Sequence, residues 1–323
     1  MAETNLELAH AFITRAIERA PLLVAAHTLM GELAVQAGDY EQAIASLRTA
    51  IRLEPDSGAE KYMNLGQVLG GDEAADLYAH GVAILRRQLD AQPADVDVRR
   101  SLCSAYASIA ELYLTDLCMA DEAESECGAA LQAALALDSS NVEALQLAAS
   151  YNVSCQRPAE ALELLQRSYA LWMGAVTRAM ADDGAELTDD DLLQLPTYER
   201  RLDAARLFME LLRPQEAVAI CGLLVEEEDD IGEVWTLLAN AHAAQNEWND
   251  ALECVERVEL LCRAMVDKDK DLEAEVAALR ARIEPHADAE GVDEDVAEGA
   301  GIDDDDDDDD GGGGDDDDDD DKA

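Results

Sequence analysis

The sequence predicts an all-α fold: a right-handed superhelical solenoid of stacked helix pairs, closed by a capping helix and followed by an acidic tail. Three observations predict it. Apolar residues recur at helical spacing along most of the chain, and aromatic residues make up only 4% of it. Small residues recur in pairs twelve positions apart: Gly31 and Ala43, Ala149 and Ala161, Ala205 and Ala217, Ala239 and Ala251. Ala9, Ala16 and Pro21 return as Ala43, Ala50 and Pro55, each 34 positions later. A fixed lag of that size marks stacked units that each bury one face against the next.

The pattern is sharpest over 24–57, where VAAHTLMGELAVQAGDYEQAIASLRTAIRLEP reads as two helices joined by Gly38-Asp39-Tyr40 and closed by Pro55. This is the tetratricopeptide (TPR) pattern, a helix–turn–helix of 34 residues. Gly31 and Ala43 lack bulk, so the paired backbones can approach closely. Leu29, Leu33, Ile44, Leu47 and Ile51 are expected to fill the layers around that contact. A partial repeat over 5–21 supplies only a second helix. The repeat at 58–93 turns at Gly70-Gly71-Asp72 and has a long second helix ending at Pro93. The unit at 97–138 is irregular: its first helix is expected to run through Tyr113 and Leu117, with a break at Met119-Ala120-Asp121. The repeat at 141–172 places Pro158 in the first turn of its second helix, where a missing N–H costs least. A charged loop, DDGAELTDDD, covers 182–191. Repeats at 196–228 and 232–265 follow, the latter with Trp235 and Trp248 in the aromatic places of the pattern. A cap helix over 269–283 is expected to stop at Pro285, and 286–323 to be a disordered polyaspartate tail.

The formal net charge is −50, and residues 286–323 hold 21 of the 73 acidic residues. The remainder is still strongly acidic. Such a field repels nucleic acid and membranes and attracts basic partners. No stretch of about 18 apolar residues supports a membrane span, and no secretory signal pattern is present. The seven cysteines form no CxxC and are an odd number, which fits reduced, mostly buried thiols in a cytosolic or nuclear protein.

No catalytic constellation stands out, and no cofactor or metal is expected. The five histidines form neither HExxH nor a cysteine–histidine finger. His27 and His242 fall near core positions of first helices and read as structural. The glycine pairs lack the GK[ST] of a phosphate loop, and Asp189 to Asp191 lack the spaced ligands of a calcium loop. Cys118 and Cys127 flank an acidic stretch, with no nearby cation to activate a thiol. The candidate site is instead the concave wall that stacked first helices must build. Glu32, Glu60, Glu143, Glu199 and Glu233 recur there about once per repeat, joined by Glu111 and Asp116 on the long third-unit helix. Val35, Met63, Tyr106 and Val153 are the apolar members expected on the same wall. The tail reads either as a solubilising appendage or as a tethered polyanion that attracts lysine- and arginine-rich segments.

Three segments carry a resemblance: AEKYMNLGQVLGGDEAADLYAHGVAIL, SIAELYLTDLCMADEAESECGAALQAALALDSSNVEALQLAAS and EVWTLLANAHAAQNEWNDALECVE. The chain resembles fungal, plant and algal TPR proteins related to the dedicated assembly chaperone of large-subunit ribosomal protein L-four. The resemblance spans most of 20–265, and the long helix with TDLCM before an acid-rich helix start is its most specific part. It implies a non-enzymatic protein that binds the new ribosomal protein, covers its basic internal loop and escorts it from cytoplasm to nucleus. The acidic groove would neutralise the loop, and release would follow from competition with ribosomal RNA. The alternatives are an acidic-tailed histone chaperone and a general TPR scaffold. A clamp for the acidic tail of a heat-shock protein needs lysine, arginine and asparagine where the first helices here carry glutamate.

Overall fold

A computed structural model describes residues 2–181, 188, 191–192, 195–264 and 270–297. Among the described residues every element of ten residues or more is a helix. In chain order they are α1 (Ala2–Arg19), α2 (Val24–Gln36), α3 (Tyr40–Leu53), α4 (Glu60–Leu69), α5 (Gly71–Ala91), α6 (Val96–Leu114) and α7 (Ala123–Leu137). They continue as α8 (Val142–Ser154), α9 (Pro158–Ala181), α10 (Tyr198–Glu210), α11 (Pro214–Glu227), α12 (Gly232–Ala244), α13 (Trp248–Ala264) and α14 (Lys270–Ala297).

Short polar side chains start several of these helices. The Asp39, Asp95, Asn141 and Thr197 side chains each accept a hydrogen bond from an otherwise orphaned N–H of the first turn. Pro214 opens α11 from its first position. Four of the intra-repeat turns close alike. Gly38, Gln156, Leu212 and Asn246 adopt positive φ values of 73°, 58°, 57° and 63°. In each, the next N–H donates back to a carbonyl five residues earlier, as Asp39 does to Ala34 and Arg213 to Phe208, both at 2.8 Å.

The small residues do what their spacing requires. Ala43, Ala149, Ala161, Ala205, Ala217, Ala239 and Ala251 are fully buried. A Cβ on Gly31 would sit 2.5 Å from Leu47 Cγ, and one on Gly66 would sit 2.5 Å from the Tyr78 ring. Leu29 is not among the core residues: it is 52% exposed. The buried stripe of α2 is Ala26, Met30, Gly31 and Ala34, and Leu29 falls about 100° away from Met30 around the helix.

Each helix packs on the next, which makes the chain a solenoid of pairs. The first helices also touch one another: α2 with α4, α6 with α8, α8 with α10, α10 with α12 and α12 with α14. Neighbouring second helices approach one another far less. In a curved stack the elements on the inside crowd and those on the outside splay. The first helices therefore form the concave wall.

Three elements differ from the sequence expectation. Helix α6 stops at Leu114, so Asp116 lies in the turn after it. There its carboxylate accepts from Gly71 N at 3.1 Å and caps α5, a stable alternative to another helical turn. Helix α9 runs on to Ala181, carrying Trp172 and Ala175 into the core. Helix α14 does not stop at Pro285 but continues to Ala297. Ile283 and Ala287 on either side are buried, and the His286 ring stacks on Trp248 at 4.3 Å, so packing offsets the hydrogen bond that proline removes. The polyaspartate run lies outside the described residues, as does all of the 182–191 loop except Thr188 and Asp191.

Candidate protein-binding surface

The concave wall carries carboxylates, and most of them already hold a partner from another repeat. Glu32 on α2 accepts from Asn64 Nδ2 on α4 at 3.0 Å. Glu111 on α6 and Glu143 on α8 both accept from Arg200 Nη2 on α10, at 2.6 and 3.3 Å. Glu233 on α12 pairs with Arg206 on α10, which also bonds Asp203 at 2.6 Å. Asn240 on α12 accepts from Arg282 on α14 at 2.5 Å. These contacts run between first helices, Arg200 reaching past α8 to α6, and stitch the wall together. Glu60 and Glu199, in the first turns of α4 and α10, are exposed and hold no ion pair among the described residues.

The apolar residues expected on the wall divide. Val35 and Val153 are half-buried near the ends of α2 and α8. Tyr106 is half-buried and packs against core clusters of α4 to α8. Met63 serves the α4–α5 contact: its Sδ lies 2.8 Å from where a Cβ of Gly81 would be.

The electrostatics of the Arg200 cluster follow from its burial. Burial raises the Glu143 carboxyl above the ordinary glutamate value; Arg200 opposes that rise and Glu111 adds to it. Two carboxylates share one guanidinium there, which leaves a net negative charge for a further cation. Sequence reasoning singled out the glutamates and missed Arg200, Arg206 and Arg282. A signal existed for one of them. The residue after the small residue of α2, α4, α8, α10 and α12 reads Glu32, Gln67, Ser150, Arg206 and Asn240, so this wall position carries a cation in α10 where α2 carries an anion.

The remaining candidates have structural partners. His27 Nε2 lies 2.9 Å from the Pro21 carbonyl oxygen. His242 Nδ1 lies 2.6 Å from Glu247 across the α12–α13 turn, and with Asp250 these form the one group of three metal-capable side chains among the described residues. Cys103, Cys127, Cys221, Cys254 and Cys262 are buried, and Cys118 is exposed. Burial pushes the Cys103 thiol up to about 11 and those of Cys127, Cys221 and Cys254 up to about 12, which makes them poor nucleophiles. No described helix is long and apolar enough to cross a membrane.

No family model matches the chain. It is 35% identical over 218 residues, 66% of its own length, to a Schizosaccharomyces pombe protein named probable assembly chaperone of rpl4. A protein of the same name from Emericella nidulans is 28% identical over 247 residues, 73% of this chain. The matched regions span 61% and 59% of those relatives, about three fifths of their length. Among solved structures, the assembly chaperone of RpL4 (Acl4), residues 1–338, superposes with a TM-score of 0.64 at 27% identity, covering 78% of this chain and 95% of that one. The Cut9–Hcn1 assembly matches at a TM-score of 0.53 and 8% identity, a likeness of fold alone. The resemblance read from the sequence is thus borne out, and the fold is a TPR-type solenoid.

Proposed function

We propose that this chain is a chaperone for a newly made, basic ribosomal protein, L4 by the name its relatives carry, acting in assembly of the large ribosomal subunit. The observation that carries the reading is the concave wall of first helices. It is lined by carboxylates in six successive units, within a chain of net charge −50, and the relatives that match it are named for this task. The mechanism is binding without an enzymatic step. Long-range attraction brings the basic segment to the wall, and half-buried groups such as Val35, Tyr106 and Val153 receive its apolar side chains. The polyaspartate tail raises the local anion concentration around the same client. A surface of this sign has no use for nucleic acid or anionic membranes. We place the protein in both cytoplasm and nucleus, between the site of client synthesis and that of assembly. Release follows when RNA, a denser polyanion, competes for the client.

Co-expression with L4, followed by mass spectrometry of what co-purifies, tests the reading. It predicts one dominant ribosomal protein in stoichiometric yield. Recovery of core histones with no ribosomal protein would replace it with the histone-chaperone reading.

A further inference from the structure

A groove that takes up a basic segment and later surrenders it needs reversible contacts, and one side chain is placed to supply them. Arg200 sits in the first turn of α10 and donates through a single nitrogen, Nη2, to Glu111 on α6 and Glu143 on α8. One guanidinium thereby joins three first helices from three different repeats. Among the described residues the joint it spans is the thinnest in the solenoid: the backbones of α8 and α9 approach α10 at fewer points than at any other junction between pairs. Large rings fill the space instead. Tyr169 meets Phe208 edge-on at 5.4 Å and Trp172 edge-on at 5.5 Å. Among the described residues one further polar contact joins these helices, from the buried Gln146 Nε2 to the Arg200 carbonyl at 2.7 Å. A joint closed by rings behind and by ions on the groove side has the makings of a hinge.

We propose that Arg200 is a latch that a basic client releases: a client guanidinium or ammonium takes Glu111 and Glu143, Arg200 swings into solvent, and the two ends of the solenoid turn about the α9–α10 joint. This rests on the reading of the chain as a holder of basic clients. The step exchanges one cation for another, so the charge on the carboxylate pair is conserved. Glu143 is never left ionised and unpaired, which burial would penalise. Arg200 competes with the client throughout, and that competition keeps a strongly acidic groove from holding its cargo irreversibly.

Two variants of the full chain break the same ion pair and separate a latch from a mere brace. Arg200→Gln removes the competitor and is expected to tighten client binding by about three- to fivefold, the range of a partly exposed pair. Glu143→Gln removes a client contact and is expected to weaken binding by a similar factor. A brace predicts loss of affinity in both, and that result would overturn the latch. Fluorophores introduced as unnatural amino acids at exposed positions 41 and 253 report the distance between the two ends. The wild-type distance should shift when client is added, and Arg200→Gln should show that shift with no client present. An unchanged client-free distance in Arg200→Gln overturns the hinge, even if the client reading itself fails. Should Arg200→Gln not fold, Arg200→Lys keeps the charge on a single-point donor and must still tighten binding, by a smaller factor; unchanged affinity counts against the latch.

Discussion

Replacing Gly31 by alanine tests the closest contact in the repeat. The new Cβ would lie 2.5 Å from Leu47 Cγ and 2.7 Å from its Cδ2, where carbon atoms settle at about 3.5–4.0 Å. Leu47 is fully buried and cannot step aside, so the overpacking cost falls near the top of its usual range, about 3 kcal/mol. Alanine is the better helix former by about 1 kcal/mol, which leaves a net loss of about 2 kcal/mol. Urea unfolding followed by circular dichroism reads this directly. Gly222 in α11 supplies the control, since a Cβ there meets nothing within 4 Å. Gly222→Ala should therefore stabilise by about 1 kcal/mol. Leu47→Ala alone should cost about 2–5 kcal/mol, and adding Gly31→Ala to it should recover part of that loss. The close-approach argument fails if Gly31→Ala and Gly222→Ala shift stability in the same direction, or if the Gly31 and Leu47 changes are additive.

Further outcomes follow from other contacts. The folded-state pKa of Glu143 is raised, so its ionisation opposes folding: stability is lost as pH rises from the ordinary glutamate value through the raised one. The urea midpoint of Glu143→Gln relative to wild type should therefore be lowest in acid and climb toward neutral pH. Leu212 is 85% exposed at φ 57°, and Leu212→Gly should raise stability by about 1 kcal/mol, since only the backbone strain is relieved. A chain ending at 284 loses the His286 stack on Trp248 and should unfold at lower temperature with red-shifted tryptophan emission, whereas a chain ending at 297 should match the full length.

Features set by local rules were legible in the sequence. Gly31, Ala43 and their echoes mark backbone approach within one helix pair, and their spacing fixes the fold without any distant information. Leu29 misled because every leucine in an apolar helix looks like core until the register against the partner is known. Pro285 signalled a helix end, and the tertiary contacts of Ile283, His286 and Ala287 overrode it. Asp116 was read as a wall carboxylate, and it caps α5 across 45 residues of chain. The candidate wall was legible as a row of glutamates, one per repeat. The arginines were not, because Arg200 meets Glu111 across 89 residues and Glu143 across 57, and nothing near Arg200 in sequence announces that reach.

The central claim is that the concave row of first helices holds a basic partner through its free carboxylates. The direct measurement is the salt dependence of L4 affinity for wild type and for the double variant Glu60→Gln, Glu199→Gln, whose side chains are exposed and support no ion pair among the described residues. Wild-type affinity should fall steeply with added salt, and the double variant should bind more weakly with a shallower slope. Equal affinity and equal slope in the two proteins would mean that the client is held somewhere other than this wall.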